Sequence, residues 1–255
     1  MLAMSAADYQ YHNTMFLVAH FHNVIIPGVV YAMLAGLTFY WPKMFGYMLN
    51  ETIGKATVRV MSIGFIPAFI PMYITGLDGQ ARRAYTYSDA SGFSTLNMVS
   101  FIGAGIMAIS FMMIVWNLYY SWKNASRDIG NDPWNARGLE WATQTPVPVY
   151  NFAITPDVTE ASDQAFWDSK AKGIQLFKGG YKDIHMPNNS GLPFIMSIGF
   201  FILGFALIFS MWIVSIIGFI IVFATMIYRT FEDDHGYHIH VDEIEKTENS
   251  YKKDG

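Results

Sequence analysis

Four stretches of this chain are almost without charge: residues 14–41, 58–76, 96–122 and 192–228. Apolar side chains fill each of them without the alternation of a half-buried strand, and in lipid a helix satisfies its own backbone. The first three have the length of a bilayer core about 30 Å thick. The fourth has 37 residues and would measure about 55 Å as one straight helix. It must therefore fold back, and residues 210–215 are where the turn is expected. The pattern predicts an all-α integral membrane protein with five transmembrane helices. Three would lie in residues 1–122, followed by a polar connection over 123–192, a transmembrane hairpin over 193–228 and a polar tail over 229–255.

Prolines refine this picture. Pro27-Gly28 is expected to kink or loosen the first span, and Trp41-Pro42 to end it beside the interfacial aromatics Phe39 and Tyr40. Pro67 and Pro71 in the second span require neighbouring helices that satisfy the freed carbonyls, which places that span inside a bundle. The connection is punctuated by proline, and Trp134, Trp141 and Trp167 are its expected anchors.

Composition agrees, with 53% hydrophobic and 14% charged residues against about 25% charged in an ordinary soluble domain. There is no cysteine, which excludes disulfides, iron–sulfur clusters and thiolate-bound metals within this chain. No repeat, phosphate loop or basic stripe supports nucleic-acid binding. With five spans, all but two of the 16 basic residues fall on one side of the membrane. Cytoplasmic segments collect Lys and Arg, so that side reads as the cytoplasm, with the N-terminus outside. Residues 1–12 lack the basic start and apolar core of a cleavable signal.

The two basic residues on the other side are adjacent, Arg82 and Arg83. Arginine forks bind carboxylates in a bidentate way and stay charged at any working pH. Their partner is either an anionic group such as a haem propionate, or simply water with Asp78 and Asp89 nearby.

His20 and His22 lie inside the first apolar stretch, where ionisable groups mark function. Residues two apart on a helix are rotated by about 200°, so the two imidazoles leave opposite faces and cannot chelate one ion. A lone histidine there would most simply hydrogen-bond to a neighbouring helix. The pair better suits two separate acceptors, and two flat haems flanking one helix satisfy this. Methionines such as Met107 and Met112 read as packing residues. His185 reads as a surface residue. In the tail, His235, His238 and His240 form a second cluster; on a strand the last two would share a face and could take up a metal, while a hydrated flexible tail is the plainer reading.

Taken together, the string of residues 11–22 containing His12, His20 and His22, the Trp41-Pro42-Lys43-Met44-Phe45-Gly46 run, Arg82-Arg83, Asp132-Pro133-Trp134 and Leu139-Glu140-Trp141-Ala142 closely resemble subunit I of the haem-copper terminal oxidases. The resemblance covers essentially the whole chain and matches about the last two-fifths of that subunit. The final hairpin, residues 185–191 and residues 242–246 are most similar to the bacterial quinol oxidase branch. The resemblance implies that His20 is the axial ligand of the high-spin, oxygen-binding haem and His22 an axial ligand of the low-spin haem. It implies that Arg82 and Arg83 bind haem propionates, with His12 nearby. Side-chain reach then puts the two irons within roughly 15 Å of each other. Asn13 stands where the cytochrome c oxidases usually have Asp, which argues against their magnesium site. Gln80-Ala81 replaces a usual Met-Pro before the arginines, which implies a looser loop.

In the family the copper ligands, the second low-spin haem ligand and the proton-channel residues belong to earlier helices. The resemblance therefore implies part of the catalytic subunit of a proton-pumping quinol:oxygen oxidoreductase in a bacterial cell membrane. Its partners would be the preceding helices of the same subunit, other oxidase subunits, quinol, oxygen and lipid. Such a segment, from a truncated reading frame or a split gene, is expected to be inactive alone. Two other classes compete: a transporter relaying protons or cations through intramembrane histidines, and a non-catalytic haem-binding membrane protein.

Overall fold

The fold, given by a computed structural model, is described for residues 2–161, 163–233 and 236–253. His235 of the tail cluster lies outside them. They form two compact units, one holding residues up to 151 with 158–174, the other 152–157 with 175–252.

The first unit begins with a short helix α1 (Ser5–Tyr11) and then α2 (Met15–Ile25), a π-helical turn over Ile26–Tyr31 and α3 (Ala32–Phe45). These last three run on as one helix of 31 residues. Thr14 starts it: its hydroxyl donates to the Tyr11 carbonyl at 2.6 Å and accepts from the Phe16 amide, satisfying one of the free amides of a helix start. The disturbance expected at Pro27-Gly28 takes the form of the π turn, which accommodates the missing amide of Pro27 while the chain stays helical. Trp41-Pro42 does not end the helix as expected. Pro42 sits inside it, and the helix stops four residues later at Gly46, whose φ of 72° suits glycine and whose amide donates to the Pro42 carbonyl.

Helices α4 (Glu51–Leu77) and α5 (Ser94–Asn124) complete the bundle. α4 packs against both α2 and α5, the interior position expected from its two prolines. Glycines allow the contact: a Cβ on Gly64 would come 2.8 Å from the Met107 amide nitrogen, and one on Gly103 would overlap the backbone of Ala68. Close approach through small residues is how membrane helices gain packing energy. Around it lie Ala68, Phe69 and Met107, packed by Ile26, Phe65 and Met72. α4 starts well before the apolar stretch because Asn50 caps it, accepting from the Ile53 amide at 2.9 Å. Asn117 and Ser121 of α5 in turn accept from the Asn50 amide. The connection folds onto α3: Trp134 Nε1 donates to the Phe39 carbonyl, Lys43 Nζ to the Thr143 carbonyl at 2.6 Å, and Trp141 is fully buried. Trp167, in the short helix α6 (Ala165–Lys172), lies under the guanidinium of Arg137.

The second unit is a helical hairpin, α7 (Leu192–Ile208) and α8 (Trp212–Phe231), closed at its base by strands β1 (Ile184–Met186) and β2 (Tyr237–Ile239) and followed by α9 (Val241–Lys253). The turn falls at Phe209–Met211, with Ser210 at φ 55°, at the near edge of the region expected. Among the described residues four helices are long and apolar enough to cross a membrane: Met15–Phe45, Glu51–Leu77, Ser94–Asn124 and Trp212–Phe231. The fifth expected span is not among these: α7, where it was expected, is apolar but has only 17 residues. The tail departs from a hydrated flexible segment, since β2 and α9 are formed and Ile239 and Ile244 are buried.

Candidate functional site

The site is built on α2. His20 and His22 lie within an unbroken α-helical stretch, so their side chains leave it about 200° apart. Their surroundings differ accordingly. His20 is exposed, whereas His22 is half-buried and turned toward α4, its ring stacked on that of Phe69 with centroids 4.6 Å apart and planes 16° apart. Phe21 touches the same ring at 4.3 Å.

His22 Nδ1 stands 2.8 Å from the carbonyl oxygen of Val18, one turn earlier. A carbonyl only accepts, so Nδ1 donates, and in the neutral ring the lone pair is on Nε2. Metal-bound histidines commonly carry this second bond, which fixes the tautomer and turns the other nitrogen toward the metal. The donor set fits axial ligation of a haem, which asks for one imidazole from a given helix. No group of three or more His, Asp or Glu that could hold an ion by themselves occurs among the described residues.

The arginine loop is fixed to the start of the same helix. The Gln80 amide donates to the Thr75 carbonyl, the Met15 amide to the Gln80 carbonyl, and the Arg82 amide to the Asn13 carbonyl, each at 2.9 Å. Thr14 and Ala81 thereby pair as an isolated antiparallel bridge. Gln80 is buried. At Gln80-Ala81, where the family's usual pair has a proline, the main chain is held by these hydrogen bonds. Asn13 at φ 58° and Arg83 at φ 64° occupy the left-handed region, the sharp bends that let the two segments meet.

This pairing gathers the polar residues at the N-terminal end of α2. Asn13, which receives the Arg82 amide, directly follows His12. His12 is exposed, with Nδ1 4.0 Å from Asp8. Arg82 is half-buried and Arg83 exposed. Neither arginine forms an ion pair among the described residues, Asp78 and Asp89 included. The helical rise puts His20 and His22 roughly 9 and 12 Å below Thr14. Two fixed positive charges thus stand at one end of a helix whose two faces carry one imidazole each.

Phe69 was not legible as part of the site, because α4 beyond Arg59 carries no charge and nothing in its sequence singles out one ring. Gln80 carried a signal as the departure from the family's usual pair. A cavity of about 700 Å³ between α3 and α4 is lined by Tyr31, Thr38, Arg59 and Trp134 and touches neither histidine.

Comparison with known proteins gives the same direction. Residues 1–106 match the family model described as cytochrome c and quinol oxidase polypeptide I. The chain is 48% identical over 251 residues to quinol oxidase subunit 1 of Bacillus spizizenii and, equally, of Bacillus subtilis, and 49% identical over 252 residues to a probable quinol oxidase subunit 1 of Staphylococcus aureus. Each alignment takes in 97% of this chain and 38% of the relative.

Proposed function

From a chain that belongs to the cytochrome c and quinol oxidase polypeptide I family, and matches the C-terminal part of quinol oxidase subunit 1, we infer that it supplies haem axial ligands to the catalytic subunit of a respiratory quinol oxidase. The observation that carries this reading is the pair of imidazoles on opposite faces of one long apolar helix, with an unpaired arginine loop hydrogen-bonded to that helix's start.

In this account His20 Nε2 or Nδ1 holds the iron of a high-spin haem and His22 Nε2 the iron of a low-spin haem. Bound there, the haems would supply the iron centres for electron transfer from quinol to oxygen. The copper of the oxygen site is held by residues outside this segment. His22 is oriented by the Val18 carbonyl and the Phe69 ring, so its nitrogen is placed before any ligand arrives. Arg82 and Arg83 neutralise carboxylates at the polar edge of the haems, which favours the reduced iron. His12 contributes a polar group to the same edge.

The complete enzyme would be a multi-pass protein of the bacterial cell membrane that pumps protons. Its chain would cross five times in this segment, α7 included, with the N-terminal end of α2 facing outside and the 123–192 connection and the 229–255 tail in the cytoplasm. Its partners would be the remaining helices of the subunit, the other oxidase subunits, quinol and oxygen. Oxygen uptake driven by a reduced quinol tests the reading. Membranes holding the complete subunit that includes this segment should show cyanide-sensitive uptake, and membranes holding this segment alone should show none. Absence of uptake by the complete assembly, or uptake by the segment alone, would overturn it.

A further inference from the structure

The cavity between α3 and α4 joins an apolar wall to a basic edge. Leu34 of α3 and Val58 and Met61 of α4 belong to the wall. Tyr31 stands at one end, its hydroxyl 3.3 Å from Ser62 Oγ. At the other end lies Trp134, fixed by its Nε1 bond to the Phe39 carbonyl and placed as interfacial aromatics are. Lys55 and Arg59, one helical turn apart on α4, line the same cavity. Lys55 Nζ is held by Glu51 at 2.6 Å. Arg59 is exposed at the edge of the apolar stretch of residues 58–76. Among the described residues no carboxylate lies within ion-pair distance of it.

We propose that this cavity holds one anionic phospholipid, its phosphodiester on Arg59 and an acyl chain along Leu34 and Val58 toward Tyr31. A guanidinium presents a planar fork to two phosphate oxygens and stays charged at any working pH. A basic side chain at the boundary of an apolar stretch is costly without an anion, and the cytoplasmic leaflet, on the side where Arg59 lies in the orientation inferred above, is the one rich in anionic headgroups. The volume of about 700 Å³ is that of a ligand site. An apolar helix laid in the same groove would leave the guanidinium uncompensated, whereas a phospholipid brings both the anion and the apolar filling. The proposal rests on that membrane orientation and is independent of haem ligation by His20 and His22.

The experiment uses the complete oxidase, delipidated in mild detergent and titrated with phosphatidylglycerol or with phosphatidylcholine, binding being read by native mass spectrometry. Wild type should take up one phosphatidylglycerol in preference to phosphatidylcholine. Arg59→Gln should bind it at least about fivefold more weakly, the worth of one basic side chain against an anionic lipid, and Arg59→Lys should fall between. Lys123→Gln, which removes a cation at the C-terminal end of α5 outside the cavity, should match wild type. Elution as the assembled complex establishes that each variant folds, and the readout does not involve the haems, so its failure and a failure of the haem assignment are separate results. Independently of any variant, a cryo-electron microscopy map of the wild-type oxidase should show an acyl chain between α3 and α4 with its headgroup at Arg59. Equal phosphatidylglycerol binding by wild type and Arg59→Gln would overturn the proposal, as would equal loss in Lys123→Gln or a map in which a helix or a haem substituent fills the cavity.

Discussion

The ring of His22 stacks on Phe69, centroids 4.6 Å apart, while its Nδ1 donates to the Val18 carbonyl. Two contacts on different sides of one imidazole fix both its plane and its tautomer. Phe69→Leu keeps most of the apolar volume and loses the aromatic contact, worth about 1 kcal/mol. On the proposed ligation, the complete oxidase carrying it should still bind its low-spin haem, with altered electron paramagnetic resonance g-values because the His22 ring would be free to rotate. Unaltered g-values would mean that Phe69 only packs.

Gly76 brings α4 onto the first turn of α2. A Cβ there would overlap the backbone nitrogen of Phe16 and come 2.6 Å from its Cα, and backbone cannot yield as a side chain can. Gly76→Ala should destabilise the bundle by about 1–3 kcal/mol and lower the thermal midpoint of haem retention. Gly28→Ala, with nothing within 4 Å of its Cβ, should leave that midpoint unchanged. Equal effects of the two substitutions would contradict the packing described.

If Arg82 and Arg83 hold haem carboxylates as proposed, their charge and their fork geometry separate on substitution. Glutamine at either position would remove a positive charge from the proposed haem edge and should lower the low-spin haem potential and slow turnover; lysine, which keeps charge and loses the fork, should fall between. Redox titration of the purified oxidase measures this. Unchanged titrations in both glutamine variants would return the pair to a solvated loop.

Asp183 joins β1 to the start of α9. The hydrogen bond from His240 first, and then the Val241 amide at 3.0 Å, hold its carboxyl below the ordinary carboxylate value. A folded-state value that is depressed stabilises the contact above the unfolded pKa of about 3.9, and the contribution is lost as pH falls below it through the folded value. The hydrogen-exchange protection factor of the Val241 amide should therefore drop between pH 7 and acid in wild type. In Asp183→Asn it should be low at both. Identical protection in the two proteins would remove Asp183 from this role.

Much of this arrangement was legible in the chain because lipid imposes simple lengths. The 37-residue run of residues 192–228 could not be one helix, and it is a hairpin. Trp41-Pro42 misled because a proline forfeits only the bond from its own missing amide to the preceding turn, and the chain here stays helical past it until the Gly46 amide closes on the Pro42 carbonyl. The strands β1 and β2 were hidden for another reason: three residues each, about 50 positions apart, they have no periodicity of their own. His22 and His20 could be assigned to different faces from helical rotation alone, whereas the Phe69 contact depends on how α4 sits against α2. For the arginine pair the sequence leaves propionate and solvent both open; what it could not show is that the loop's main chain is hydrogen-bonded to residues 13–15 at the start of the histidine helix.

The central claim is that one helix gives one imidazole to each of two haems. The most direct measurement is the reduced-minus-oxidised optical spectrum of the complete oxidase bearing His22→Ala or His20→Ala, with and without carbon monoxide. His22→Ala should lose the low-spin haem band and keep a carbon monoxide-reactive centre, and His20→Ala should keep the low-spin band and lose carbon monoxide reactivity. Both haem signals intact in either variant, or the same signal lost in both, would contradict the account.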